Sequence, residues 1–191
     1  MGAIPDSFWA EVPRFEEMLA RVEPVALRPN PEVLDSLLGC IVEQQHPLRS
    51  SKKVHARLLD SMGLLVLKPE DAEAYIEATL KRYALSESKI KALAGVLASV
   101  EQGNWAREPG NRAELGQVLG PILGIGEWTL QMIELFDWAE PDVFPERDFH
   151  LGRALLALPG GPRTPAQVRR FAQRWAPQRS LAARLLWAGL G

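Results

Sequence analysis

The sequence predicts an all-α fold, and three observations carry that expectation. Apolar residues recur at helical spacing in several stretches, as in Val33, Leu34, Leu37, Leu38, Ile41 and Val42. Helix-starting residues stand just ahead of such stretches, at Asn30-Pro31, Ser86 and Thr164-Pro165-Ala166-Gln167. No stretch keeps the apolar–polar alternation of a half-buried strand. Roughly nine to ten helices are expected, with no sheet, no internal repeat and no low-complexity segment.

In chain order, an early helix is expected around Ser7–Val22, interrupted by Pro13 and followed by a linker ending at Pro29-Asn30-Pro31. Asn30 can cap the next helix, with Pro31 pre-set for its first turn. That helix ends at Glu43-Gln44-Gln45-His46-Pro47, which reads locally as a polar helix end stopped by proline. Ser50 to Leu59 is helical in pattern, with Arg49, Lys52, Lys53 and Arg57 near the preceding loop. Charges at such spacing are usually a solvated face. Pro69 starts a helix reaching Leu80. Ser86 caps one to Gln102, with Ile90, Leu93, Val96, Leu97 and Val100 turned inward. Gly103-Asn104 and Pro109-Gly110-Asn111 are turns. Thr164-Pro165-Ala166-Gln167 reads as a capping box, and Pro177 as the start of a last helix ending at Gly189 and Gly191.

Composition sets the outer bounds. The chain has 191 residues, 47% hydrophobic and 24% charged, enough for one sizeable core or two closely packed lobes. No run of about 18 apolar residues suggests a membrane span, and no charged-then-apolar leader opens the chain. One cysteine, Cys40, excludes an intramolecular disulfide and suits a reducing cytoplasm. The net charge of −2 does not advertise a nucleic-acid binder, but its distribution is uneven. From Pro145 onward eight arginines face Glu146 and Asp148, a balance of +6 that leaves the first 144 residues at −8. A basic half of this kind can face phosphates, although Arg-rich solvated faces give the same count.

The chemistry concentrates between Leu119 and Arg153. Two helices meet there at Gly124-Ile125-Gly126, a turn too tight for ordinary side chains, and the second is expected over Glu127–Trp138. Glycines directly before a helix leave its first N–H groups bare, and such a terminus accepts an anion such as a DNA phosphate. A Pro-punctuated loop follows, then a helix opening at Asp148. Locally Asp148 reads as an N-cap. The helix dipole and bare N–H groups also stabilise negative charge there, so the same carboxylate can serve chemistry. Asp142, the nearby rival, sits in the loop and reads as structural.

The pairing of Leu123-Gly124-Ile125-Gly126-Glu127-Trp128-Thr129 with Asp142-Val143-Phe144-Pro145-Glu146-Arg147-Asp148 resembles the helix-hairpin-helix DNA glycosylases. It is most similar to their alkylpurine (3-methyladenine, type II) branch. Thr164–Gln167 and Arg174-Trp175, Pro177 and Arg179-Ser180 extend the likeness to the last helices. The resemblance implies a two-lobed helical bundle over residues 1–191, a single glycosylase domain with its cleft between the lobes. The segment before Asn30 is too short for the N-terminal β-lobe that members of this branch often carry. With one cysteine, the four-cysteine iron–sulfur cluster of other relatives is not expected.

The resemblance also implies roles. Asp148 matches the catalytic aspartate, which stabilises the sugar cation and positions water. Gln45 matches the side chain that fills the gap left by the extruded base, and Arg49 and Lys53 beside it become phosphate contacts. Gly124, Gly126 and Thr129 offer backbone and hydroxyl donors to a phosphate. Trp128, Phe149 and Trp187 match aromatic pocket positions, and another pocket aromatic of the family falls on Met132. Bifunctional members carry a nucleophilic lysine where Trp128 stands, so no Schiff base is expected there. His150 follows the aspartate and reads as a structural histidine. The carbonyls of Gly120, Ile122 and Ile125 match positions holding a structural Na⁺ or K⁺, and no catalytic cofactor is implied.

The expected activity is therefore a monofunctional DNA glycosylase of base excision repair. It would hydrolyse the N-glycosidic bond of a flipped base in duplex DNA, chiefly alkylated purines such as 3-methyladenine and 7-methylguanine. A monomer working in the cytoplasm at the bacterial nucleoid is expected. The alternatives are a glycosylase for a neutral lesion (uracil, hypoxanthine or a mismatched base) and a non-catalytic protein that binds DNA structures through the hairpin.

Overall fold

Seven α-helices and one 3-10 turn, with no strand, make up the described residues of the computed structural model, which are 33–43, 85–105, 109–158 and 160–189. The helices are α1 (Val33–Glu43), α2 (Glu87–Glu101), α3 (Arg112–Leu119), α4 (Glu127–Phe136), α5 (Phe149–Leu156), α6 (Pro165–Ala172) and α7 (Arg179–Ala188). The all-α expectation holds. The expected helices at Ser7–Val22, Ser50–Leu59 and Pro69–Leu80 lie outside the described residues, as does the Asn30-Pro31 cap. No helix among the described residues is long and apolar enough to cross a membrane. The chain divides into two compact units, one over Pro31–Ile133 and one containing Glu134–Gly191, with the division inside α4.

In the first unit α1 packs on α2. Val33, Leu37, Leu38, Ile41 and Val42 are buried as their spacing predicts. The buried stripe of α2 is Lys89, Ala92, Leu93, Val96 and Ser99, while Ile90, Leu97 and Val100 are only half-buried. The stripe is thus rotated from the expected one, and a buried lysine accounts for part of the shift. Lys89 Nζ donates to the Val42 carbonyl at 2.8 Å. That oxygen is among the last four of α1, which have no partner within the helix. A cation there also complements the helix dipole, and burial lowers the lysine's pKa. Ser86 sits at the N-cap of α2, but its hydroxyl pairs with that of Ser88 instead of a helix N–H.

The hairpin is built from both of its ends. Asn111 caps α3 by accepting the Glu114 N–H at 3.0 Å, and Glu114 returns its carboxylate to the Gly110 N–H at 3.0 Å. Such a cap is worth about 1 kcal/mol. After α3 the chain turns through Ile122 N–H to Leu119 O (2.9 Å) and Ile125 N–H to Ile122 O (3.2 Å). Gly124 has φ +93°, and an added Cβ would stand 3.1 Å from Ala92 Cβ and 3.2 Å from the Ser88 carbonyl. Glycine is required there twice over, for the left-handed backbone and for close packing on α2.

In the second unit α5 packs against α6 and α7. Leu135, Leu151, Leu155, Val168, Leu185 and Leu186 form much of its core. Trp175 joins them, stacked on Phe144 with centroids 5.7 Å apart and edge-on to Phe171 at 5.5 Å. Helix α4 stops at Phe136, two residues before the expected end. Ala139 takes φ 56°, which turns the chain so that the Glu140 N–H closes on the Glu134 carbonyl at 2.9 Å. The capping box of α6 forms as its sequence predicts, with Thr164 Oγ1 accepting the Gln167 N–H and Gln167 Oε1 accepting that of Thr164. Helix α7 begins at Arg179 instead of Pro177, which lies in the turn after the 3-10 segment Gln173–Trp175.

Candidate active site

Asp148 is the N-cap of α5, in extended backbone geometry, and only 7% exposed. Its Oδ1 accepts two N–H groups, from Leu151 at 2.8 Å and from the Trp187 indole at 3.0 Å. The first is the local cap that the sequence implies. The second comes from α7, 39 residues away, and no local pattern announces it. A carboxylate removed from water needs such donors, and hydrogen bonds to a charged acceptor are the strong ones. Two of them on one oxygen fix the plane in which the carboxylate can act.

The loop that delivers Asp148 is pinned to the start of α7. Arg179 holds Asp142 in a bidentate pair, Nε to Oδ1 at 2.7 Å and Nη2 to Oδ2 at 2.9 Å. Hydrogen bonding to that guanidinium keeps the Asp142 carboxyl below its ordinary pKa, outweighing the effect of burial. Ser180 Oγ donates to the Glu140 carbonyl at 2.6 Å and accepts the Val143 N–H at 2.9 Å. Arg169 pairs with Glu146, two residues before Asp148. Asp142 is thus occupied in holding the loop. Arg179 and Ser180 position the loop too; the family likeness marks both residues in the sequence, but not this role.

Of the expected pocket residues, Phe149 and Trp187 share the second unit with Asp148. Trp187 stacks on Phe136 with centroids 5.8 Å apart and planes 23° apart. Arg184 lies over the Phe136 ring at 5.3 Å, and burial lowers its pKa. Neither Phe136 nor Arg184 is expected here from sequence. Phe149 is 67% exposed, one residue from the carboxylate, with the Arg153 guanidinium over its ring at 5.9 Å. His150 is exposed and packs edge-on to Phe149 at 5.4 Å. It lies off the α5 face that buries Leu151 and Leu155. Trp128, half-buried, and Met132, 4% exposed, belong to the first unit.

The hairpin presents a different balance of donors from the expected one. Thr129 is 1% exposed and its N–H donates to the Gly126 carbonyl at 3.0 Å. Its hydroxyl is buried because helical phase puts it on the face of Met132 and Ile133, so it does not offer itself to a phosphate in this structure. Gly126 has no atom within 4 Å of an added Cβ and no positive φ. Neither packing nor backbone therefore demands glycine at that position. Glu127 opens α4 beside it and is neutralised by Arg112, which reaches both carboxylate oxygens at 2.6 Å. Among the described residues no group of three His, Cys, Asp or Glu could hold a metal. Gln45, Arg49 and Lys53 lie outside the described residues.

No family model matches the chain. Its fold matches that of Mag1, a 3-methyladenine DNA glycosylase of Schizosaccharomyces pombe solved with abasic DNA, with a TM-score of 0.67 and 24% identity over 92% of this chain and 90% of that one. It also matches a DNA-3-methyladenine glycosidase of Bacillus halodurans, with a TM-score of 0.62 and 24% identity over 95% and 86%. By sequence the chain is similar to DNA-3-methyladenine glycosylase 2 of Escherichia coli, at 35% identity over 79 residues, 41% of this chain. It is also similar to the "Probable bifunctional transcriptional activator/DNA repair enzyme AlkA" of Mycobacterium tuberculosis, at 31% over 137 residues, 69% of this chain. The matched regions span 26% of the length of each of these two relatives. The fold is that of the helix-hairpin-helix DNA glycosylases. The sequence relatives carry the likeness further, to the alkylpurine branch.

Proposed function

We propose that this chain is a monofunctional glycosylase that releases alkylated purines, 3-methyladenine and 7-methylguanine, from duplex DNA, working as a monomer. One observation carries the reading: a buried carboxylate, Asp148, oriented by Leu151 and Trp187 and next in sequence to the exposed Phe149 ring, follows a helix-hairpin-helix in the chain. A base inside a duplex stack cannot be reached, so the nucleotide must be extruded first. As the C1′–N bond breaks, its electron pair leaves with the base and positive charge develops on the sugar. The Asp148 carboxylate stabilises that charge, the electrostatic task carboxylates perform in glycoside hydrolysis. Water then bonds to C1′ and releases a proton to solvent, leaving the abasic sugar and the neutral base. An alkylated purine departs neutral from a cationic state, so it leaves more readily than a normal base.

Trp128 stands where bifunctional relatives have a lysine, so water is the nucleophile and the abasic strand stays intact. Gly126, which the fold itself does not require as glycine, gives a phosphate room to approach the start of α4. The carbonyls of Gly120, Ile122 and Ile125 are hard oxygen donors of the kind that suits a Na⁺ or K⁺. One of them, that of Ile122, already accepts the Ile125 N–H and keeps its second lone pair for an ion. Such an ion would neutralise phosphate charge at the hairpin. The test is a release assay on duplexes each holding one lesion. Release of 7-methylguanine or 3-methyladenine is expected, and activity on uracil alone would overturn the alkylpurine assignment.

A further inference from the structure

A cleft of about 480 Å³ has its described lining within the second unit, at the end of α5, the following turn and α6. Among the described residues, Arg163, Arg170 and Arg174 line it with Gln167 and Phe171, and none of that described lining is Asp or Glu. Two neighbouring arginines outside the cleft are committed to carboxylates, Arg169 to Glu146 and Arg179 to Asp142. The cleft is also built in advance of any ligand. Arg174 lies over the Phe171 ring at 3.7 Å and its Nε donates to the Phe171 carbonyl at 3.0 Å, which fixes its guanidinium. The turn leading to Arg163 is equally constrained: Gly160 has φ +68°, and a Cβ on Gly161 would collide with the Leu155 carbonyl. The Arg163 N–H is held by Gln167 Oε1 at 2.8 Å.

Like charges gathered around one cleft repel one another, and an anion relieves that repulsion. Guanidinium forks pair in bidentate fashion with the oxygens of phosphate, as they do with those of carboxylate. We propose that this cleft is a second phosphate-binding site, separate from the hairpin, and that it takes backbone phosphates of DNA. The DNA source rests on the glycosylase reading, whereas the affinity for phosphate rests on the cleft alone. Asp148 caps one end of α5 and the cleft opens at the other, about 12 Å along a helix of eight residues. The site therefore holds phosphates away from the reacting sugar and contributes to affinity.

The test measures binding of an undamaged duplex by fluorescence anisotropy over a range of KCl concentrations. It compares wild type, Arg163→Gln/Arg170→Gln, and Lys91→Gln, which removes a charge already paired with Glu87. Arg163 and Arg170 are exposed, so both replacements leave the core untouched. For every phosphate no longer neutralised, the slope of log K against log [salt] should fall by about 0.9, so the double variant should lose about 1.8 and Lys91→Gln almost nothing. Thermal unfolding with inorganic phosphate forms a second arm. If phosphate stabilises wild type but not the double variant while the DNA slopes agree, the site takes free phosphate and the DNA source is wrong. Equal slopes with no difference in phosphate stabilisation overturn the site. Release of 7-methylguanine by wild type, followed in the same preparations, tests the glycosylase reading separately from either result.

Discussion

Replacing Trp187 with Phe separates the two roles its position suggests. The ring that stacks on Phe136 is largely kept, while the indole N–H that reaches Asp148 Oδ1 at 3.0 Å is removed. A hydrogen bond to a charged group contributes about 1.5–3 kcal/mol. At 1.36 kcal/mol per factor of ten in rate, its absence in the transition state slows release about 10- to 100-fold. The loss should appear in the single-turnover rate at saturating enzyme, with duplex affinity unchanged. It should be equal for cationic 7-methylguanine and neutral hypoxanthine, because the carboxylate serves both. In an Asp148→Asn background the same replacement should have little further effect, as expected for two groups acting through one interaction. A wild-type rate in Trp187→Phe would refute the argument. A loss confined to the cationic lesion would show instead that the ring acts by cation–π stacking.

Three further outcomes follow from the hairpin and the loop. Gly126→Ala should fold with wild-type stability but bind duplex DNA more weakly, whereas Gly124→Ala should lose about 1–3 kcal/mol of stability, from its φ of +93° and its close approach to Ala92; denaturant melts and anisotropy titrations check both. Borohydride should trap no protein–DNA adduct during turnover, and product strands should break only after alkali, since Trp128 occupies the lysine position. The Asp142–Arg179 pair holds the folded carboxyl below its ordinary value of 3.8, so its stability contribution is fully present above that value and is lost as pH falls through the folded one. The difference in denaturation midpoint between wild type and Asp142→Asn should be constant near neutrality and close below about pH 4.

What the sequence made legible was local. The glycines of the hairpin, the Thr164–Gln167 capping box and the cap at Asp148 each rest on residues within a few positions of one another, where spacing and backbone chemistry suffice. The contacts that complete the candidate site and its supports span 37 to 47 residues: Arg179 to Asp142, Trp187 to Asp148 and Lys89 to Val42. Such pairs leave no periodic trace, because each partner alone looks like an ordinary surface charge or core aromatic. Thr129 departs from expectation for a related reason. Its hydroxyl suggests a ligand, but helical phase sets it among Met132 and Ile133, and a small polar side chain is tolerated there only when its bonds are met inside. The α2 stripe is shifted because Lys89 has a helix end to cap, which a hydrophobicity pattern scores as solvent-facing.

The role of Asp148 is tested most directly by single-turnover release of 7-methylguanine from a duplex by wild type and Asp148→Asn, with duplex affinity measured for both. Asn keeps the side chain's size and an oxygen for Leu151 and Trp187 but removes the charge that would stabilise the sugar cation. Wild type should release the base, and the variant should do so at a rate lower by roughly 10²–10³, as when an electrostatic stabiliser is removed elsewhere, with affinity retained or tighter. Near-normal release by a folded Asp148→Asn variant would contradict that role.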